Sequence, residues 1–171
     1  MSVTLQDITA ENWQAVAALQ VAPEQQTWVA PNAHSLLEAH YGLGGELAHL
    51  RLVPLAVYAG EAPVGFLLYN TAPSRERFFV MRLMIDRAHQ GRGYGREALA
   101  QLLALFRAHP QAKEAAISYN QGNEPARRLY LGSGFQELGP DGAGGVLMWR
   151  ALNPQPAPWD SLWNPAVSAG A

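Results

Sequence analysis

The chain has 171 residues, 49% of them apolar, and its 12 basic and 14 acidic side chains leave a net charge of −2. This length suits one domain with a real core and excludes global disorder. Lys and Arg never cluster beyond two or three, which argues against a nucleic-acid surface, and the absence of cysteine excludes a disulfide framework, a thiolate zinc site, an iron–sulfur cluster and a cysteine nucleophile. The first seven residues lack the basic and apolar segments of a signal peptide. No apolar run approaches the ~18–20 residues needed to cross a bilayer. The expectation is a cytoplasmic protein with neither a nucleic-acid nor a membrane partner.

In chain order, Val3, Leu5 and Ile8 mark a short first strand. A helix follows from Thr9 or Glu11, carrying Trp13, Val16 and Leu19 at helical spacing and ending at Pro23. A second helix opens at Asn32 as N-cap and stops at Gly42. Residues 42–50 carry no clear pattern. Three strands then stand close together: Val53 to Ala59, Val64 to Thr71, and Phe78 to Ile85. In the third, strict alternation places Phe79, Met81, Leu83 and Ile85 on one face, and Phe78, Val80, Arg82 and Met84 on the other.

A long helix starts near Gly93, with Leu99, Leu102, Leu103 and Phe106 as its core stripe, and closes at His109-Pro110. Ala115 to Tyr119 reads as a brief strand. Asn123 to Leu131 reads as a helix with Asn123 at the N-cap and Pro125 in the first turn, where its missing N–H costs nothing. Phe135 to Leu138 and Val146 to Ala151 form a last hairpin. Residues 1–152 are therefore read as one domain and 153–171 as a proline-rich tail. The tail's Trp159, Leu162 and Trp163 are anchors for this chain's own surface or for a homodimer contact.

The most informative stretch is Gln90-Gly91-Arg92-Gly93-Tyr94-Gly95-Arg96, which follows a strand and opens a helix. Alternate glycines let backbone N–H groups converge, and at a helix N-terminus such a nest binds phosphate. A dinucleotide fingerprint is disfavoured because no Asp or Glu follows at the end of a strand about 20 residues on, and no Gly-Lys-Ser/Thr makes a P-loop. The five histidines show no ligand spacing, so no metal is expected.

This loop, preceded by Met84-Ile85-Asp86, resembles the Gln/Arg-x-x-Gly-x-Gly/Ala acyl-CoA motif of the GNAT superfamily of N-acetyltransferases. About 30 residues on, Asn123-Glu124-Pro125-Ala126-Arg127-Arg128-Leu129-Tyr130 followed by Gly134-Phe135 is similar to that family's Asn-x-x-Ala-x-x-Leu-Tyr…Gly-Phe segment. The resemblance covers roughly residues 3–152. It implies an α/β fold of the α+β kind: a mixed, mostly antiparallel twisted sheet of six or seven strands, with helices on both faces. It implies acetyl-CoA as co-substrate, its pantetheine arm lying beside backbone groups of Leu83, Met84 and Ile85. Gln90, Gly91, Gly93, Tyr94 and Gly95 would hold the diphosphate, with charge from Arg92 and Arg96 and a contact from Asn123.

Acetyl transfer needs a neutral amine, a donor for the oxyanion and a proton for the departing thiolate. Tyr130 is the candidate general acid, and a backbone N–H near Leu83 or Met84 the oxyanion donor. Without cysteine, direct attack in a ternary complex is the expected route. A carboxylate or a water chain would take the amine's proton.

Residues 24–39, Glu-Gln-Gln-Thr-Trp-Val-Ala-Pro-Asn-Ala-His-Ser-Leu-Leu-Glu-Ala, resemble a segment of bacterial spermidine/diamine acetyltransferases. That implies a small-molecule polyamine acceptor near Glu24, Gln25, Trp28 and Glu38. The alternatives are another amine (an amino acid, an aminoglycoside or a protein N-terminus) and a non-catalytic acyl-CoA sensor.

Overall fold

A computed structural model describes residues 2–71 and 76–153. Trp159, Leu162 and Trp163, and with them the expected self-docking or dimer contact, lie outside the described residues. In chain order the elements are β1 (Val3–Asp7), α1 (Trp13–Ala17), α2 (Asn32–Tyr41), β2 (Arg51–Ala59), β3 (Ala62–Thr71), β4 (Arg77–Ile85), α3 (Tyr94–Arg107), β5 (Glu114–Asn120), α4 (Glu124–Gly132), β6 (Gln136–Pro140) and β7 (Gly145–Ala151). Single 3-10 turns form at Pro23–Gln25, Gly45–His49 and Arg87–His89.

The strands make one seven-stranded sheet in the order β1-β2-β3-β4-β5-β7-β6. Every pairing is antiparallel except β4 with β5. The expected mixed, mostly antiparallel sheet is therefore observed. The parallel pair arises because α3 carries the chain back across the sheet before β5 begins.

Two apolar layers cover the sheet. On one face the stripe Leu99, Leu102, Leu103 and Phe106 of α3 is fully buried against Val57, Leu67, Phe78 and Val80. Phe106 stacks on Phe78 with ring centroids 4.3 Å apart. Each such side chain contributes roughly 1.5–3 kcal/mol by leaving water. On the other face Val16 of α1 and Leu36 of α2 pack with Phe66, Leu68 and Met84.

Three local expectations are corrected. The first helix begins at Trp13, not at Thr9 or Glu11, because Asn12 folds the preceding turn: it accepts from the Thr9 amide at 2.8 Å and donates to the Asp7 carbonyl at 2.9 Å. Trp13 is left 46% exposed, so it is not a core anchor. Asn32 does not cap α2; Pro31 holds that position. The Asn32 side chain is buried instead, and donates to the Val16 carbonyl at 2.9 Å, tying α2 to α1. The last hairpin starts one residue late, at Gln136, while Phe135 stays in the core beside Tyr130.

The correction that matters most is in β4. Leu68 of β3 stands opposite Arg82, but Tyr69 stands opposite Val80, so Met81 is an extra residue. This β-bulge breaks the alternation. Phe78 and Val80 face the α3 layer, and so do Leu83 and Ile85, whereas Met81 and Met84 pack with the α1–α2 layer. Strict period two would have put Leu83 and Ile85 on the face opposite Phe78.

Candidate active site

The bulge sits where two neighbouring strands separate. β4 and β5 pair from Arg77–Glu114 to Val80–Ile117 and no further. Beyond that point Arg82–Ile85 keep their β3 partners but have no strand partner on the other side, the bulged Met81 has neither, and Ser118, Tyr119 and Asn120 pair only with β7. The gap opens into a cleft of about 630 Å³. Its walls are the freed half of β4, the end of β5, the inner face of α4, the glycine loop and the segment between α1 and α2.

The glycine loop lies at the mouth. Gly91 and Gly93 have φ of 77° and 82°, in the left-handed region that glycine adopts without strain. Gly93 is the N-cap of α3, and no side chain caps that helix. The Arg96 amide turns back to the Gly93 carbonyl at 3.1 Å, while those of Tyr94 and Gly95 remain available to an anion at the positive end of a 14-residue helix. Gly95 also lines the cleft. A Cβ there would meet only Ile85 and Leu129, at 3.6 and 3.7 Å, so the chain's own packing does not demand glycine at this position.

Gln90 ties this loop to its surroundings. Its Nε2 donates to the Ile85 carbonyl at 2.9 Å and to Gln25 Oε1 at 2.7 Å, and Gln25 Nε2 donates back to Gln90 Oε1 at 3.2 Å. The mouth of the cleft is thereby stitched to the segment after α1. At the far end, Asn120 Nδ2 donates to the Thr27 carbonyl at 3.2 Å, closing that segment over β5.

Tyr130 projects from α4 into the cleft and is 6% exposed. Burial pushes its hydroxyl well above the ordinary tyrosine range, so it carries its proton throughout the neutral range. Its hydroxyl has no hydrogen-bond partner among the described residues. Asn123 caps α4, its Oδ1 accepting from the Ala126 amide at 3.2 Å, and it also lines the cleft.

Asp86 closes β4. Partial burial opposes its ionisation, but the amides of Gln20 and Ala88, each 2.9 Å away, and His89 outweigh that, and hold the carboxyl below the usual carboxylate range.

Of the residues singled out from sequence, Leu83, Met84, Ile85, Gln90, Gly91, Gly93, Tyr94, Gly95, Asn123, Tyr130, Gln25 and Trp28 converge on this one cleft. Arg92, Arg96, Glu24 and Glu38 are not among its lining residues. Arg92 and Arg96 are exposed, and Arg92 donates to the Ala88 carbonyl at 3.3 Å. Glu24 is exposed in the Pro23–Gln25 turn. Glu38 stands behind Arg82, at 3.6 Å. The described lining contains no Asp or Glu. It does contain His89 and Arg82, which sequence reading gave no role. No spacing signal could have found them, since their place depends on the bulge and on the turn Arg87–His89.

Comparisons with known proteins agree with this geometry. Residues 13–135 match the profile of the Acetyltransferase (GNAT) family. A probable spermine N(1)-acetyltransferase of Bacillus subtilis subsp. natto is 27% identical over 145 residues, covering 80% of this chain and 89% of that protein. The spermine/spermidine N(1)-acetyltransferase of Bacillus subtilis strain 168 matches to the same extent, 27% over 145 residues. Among solved structures, an N-acetyltransferase from Thermoplasma acidophilum in complex with coenzyme A superposes with a TM-score of 0.63 at 13% identity, covering 88% of this chain and 99% of that one. An aminoglycoside acetyltransferase, also in complex with coenzyme A, gives 0.65 at 18% identity, covering 88% and 95%. With the profile spanning most of the chain and the same fold in those neighbours, the chain belongs to the GNAT family of acetyltransferases and is an acyltransferase.

Proposed function

We propose that this enzyme transfers the acetyl group of acetyl-CoA to a primary amine by direct attack within a ternary complex, and that the amine is a polyamine of the spermidine class. The observation that carries the transfer reading is the parted pair β4 and β5, a strip of unpaired backbone that runs to the uncapped start of α3. The Ile85 carbonyl is taken by Gln90, but the remaining backbone groups of this stretch that point away from β3 suit the amides of a pantetheine arm, in the manner of an added strand. The first-turn amides around Gly93, Tyr94 and Gly95 suit a diphosphate, with Arg92 and Arg96 adding positive charge from outside the cleft. Asn123 stands where it can touch the arm while capping α4.

An amine attacking the thioester carbonyl forms a C–N bond and drives electrons onto oxygen, and a backbone N–H near Leu83 or Met84 donates to that oxyanion. When the C–S bond breaks, Tyr130 gives its proton to the departing sulfur, and the proton that the amine nitrogen sheds passes through water and restores the Tyr130 hydroxyl. Its buried, protonated and unpartnered hydroxyl suits that role. Gln25 and Trp28 line the acceptor side, where the indole can face a cation.

The polyamine reading rests on the segment around Trp28 to Ala39 and on the Bacillus relatives. One observation favours a second reading. The described cleft lining holds Arg82 and no carboxylate, which suits an acceptor with a single cationic centre or with an anionic group of its own, such as an amino acid. A screen of amines with acetyl-CoA, following thiol release, decides between them. Faster release with spermidine supports the first reading and faster release with amino acids the second. No release with any amine leaves a protein that binds acyl-CoA without turning it over.

A further inference from the structure

The bulge at Met81 has a cost. The extra residue falls out of register with β3, and from this point β4 has no partner on the β5 side, so the Met81 carbonyl loses the ladder that would satisfy it. Arg82 answers this locally: its Nη1 donates to the Met81 carbonyl at 2.9 Å. The guanidinium is itself held from outside the sheet. Glu38, on α2, places Oε2 3.6 Å from Arg82 Nη2, and both side chains are mostly buried, at 20% and 24% exposure. Glu38 Oε2 and Arg82 Nε are shielded from solvent and take no hydrogen bond, so charge attraction rather than a directed bond joins the two. On its other side Glu38 Oε1 lies 3.2 Å from Nε2 of the exposed His34.

We infer that Glu38 is a positioning residue for acetyl transfer: by holding Arg82 it fixes the Met81 carbonyl at the bulge, and so sets the direction of the backbone donors at Leu83 and Met84. Glu38 does not line the cleft and touches no reacting atom. Its influence runs from α2 through one guanidinium to the backbone. A peptide unit is planar, so fixing the carbonyl of Met81 fixes the orientation of the Arg82 amide plane, and the next amide is the first of the two candidate oxyanion donors. A misaimed donor in an oxyanion site lowers turnover while leaving ligand affinity in place.

The inference rests on acetyl transfer at this cleft, and the wild-type amine screen tests that first. With an amine that the wild type acetylates in hand, the variants test the brace alone. Steady-state kinetics with that amine, calorimetric titration with coenzyme A and thermal melts would be run on Glu38→Gln, Arg82→Met, the double variant and Arg82→Lys. The expected result is a fall in kcat of roughly tenfold or more for Glu38→Gln. The Kd for coenzyme A should change less than about threefold, since the glycine loop is untouched. The double variant should be no slower than Arg82→Met alone, because Glu38 acts through Arg82. Arg82→Lys keeps the charge but loses the fork, and should recover only part of the rate. Amide resonances of Arg82, Leu83 and Met84 should move in Glu38→Gln while those of Gly91 to Arg96 stay. Losses in the double variant that simply multiply would overturn the inference, as would a raised KM for the amine at unchanged kcat, which would make Glu38 an acceptor contact. Unchanged kinetics, or a loss matched by the fraction unfolded, would overturn it as well.

Discussion

β4 is two different strands joined at Met81. From Arg77 to Val80 it is an interior strand, bonded to β3 on one side and β5 on the other. Its end is pinned: Arg77 Nε meets the buried Glu114 at 2.5 Å, and Trp149 Nε1 donates to the same carboxylate at 2.8 Å. From Arg82 to Ile85 the strand has β3 alone, and its other edge faces the cleft. An open strand edge is normally a liability, since it recruits any extended chain. In the proposed function this open edge, which begins at the bulge, becomes the receptor for the pantetheine arm, while the closed half keeps the sheet whole. On that proposal β4 divides into a closed half that stabilises the sheet and an open half that recognises the cofactor.

The division can be tested from either side. The largest effect is expected on the open side. Tyr130→Phe should lower kcat by roughly 10²–10⁴-fold, the range for loss of a general acid, with affinity for coenzyme A retained. Unchanged turnover would remove Tyr130 from the chemistry. On the closed side, Glu114→Ala removes one partner of Arg77 and the acceptor of Trp149. Breaking a buried pair costs about 3–5 kcal/mol, and because Arg77 is still 28% exposed the loss should lie near the lower figure. Denaturant unfolding measures it, and a loss under about 0.5 kcal/mol would show the closed end is pinned by something else.

Gly65 tests the junction of the open half with β3. A Cβ there would sit 2.5 Å from the Met84 carbonyl and 2.7 Å from Ile85 Cδ1. Gly65→Val should therefore push β4 away, cost about 1–3 kcal/mol as overpacking does, and weaken coenzyme A binding at the same time. A stability loss without a binding loss would mean that the open edge tolerates displacement.

The smallest effect concerns Asp86, whose folded-state carboxyl titrates below its unfolded value near ~3.9. A depressed carboxylate adds stability that is present above that value and fades as pH falls through the folded one. The melting-temperature gap between wild type and Asp86→Asn should therefore be constant at neutral pH and narrow below about pH 4. A gap that widens in acid would reverse the sign of this account.

Much of this was readable in the chain itself, for identifiable reasons. The stripe of α3 declared itself because Leu99, Leu102, Leu103 and Phe106 recur at helical spacing, and the glycine loop because Gly91 and Gly93 need a positive φ. The bulge was invisible. Residues 78–85 are apolar at every position but Arg82, so a change of parity leaves no mark on the pattern. Asn32 misled for a related reason. Its residue type favours a cap, but a distant carbonyl, that of Val16, outbid the local amides. The cleft wall between α1 and α2 was least legible because Pro23–Gln25 is a 3-10 turn too short to show a period.

The paired carboxamides of Gln25 and Gln90 carry one more consequence. They join the segment after α1 to the glycine loop by two reciprocal N–H···O bonds, with Gln25 Oε1 also accepting from the Ala22 amide at 3.2 Å. Neither group ionises, so this clasp keeps its strength across the whole range of acidity and ionic strength in which the enzyme stays folded. The seam between these two walls of the cleft is therefore insulated from the medium, while the exposed Arg92 and Arg96 of the glycine loop feel every change of counter-ion.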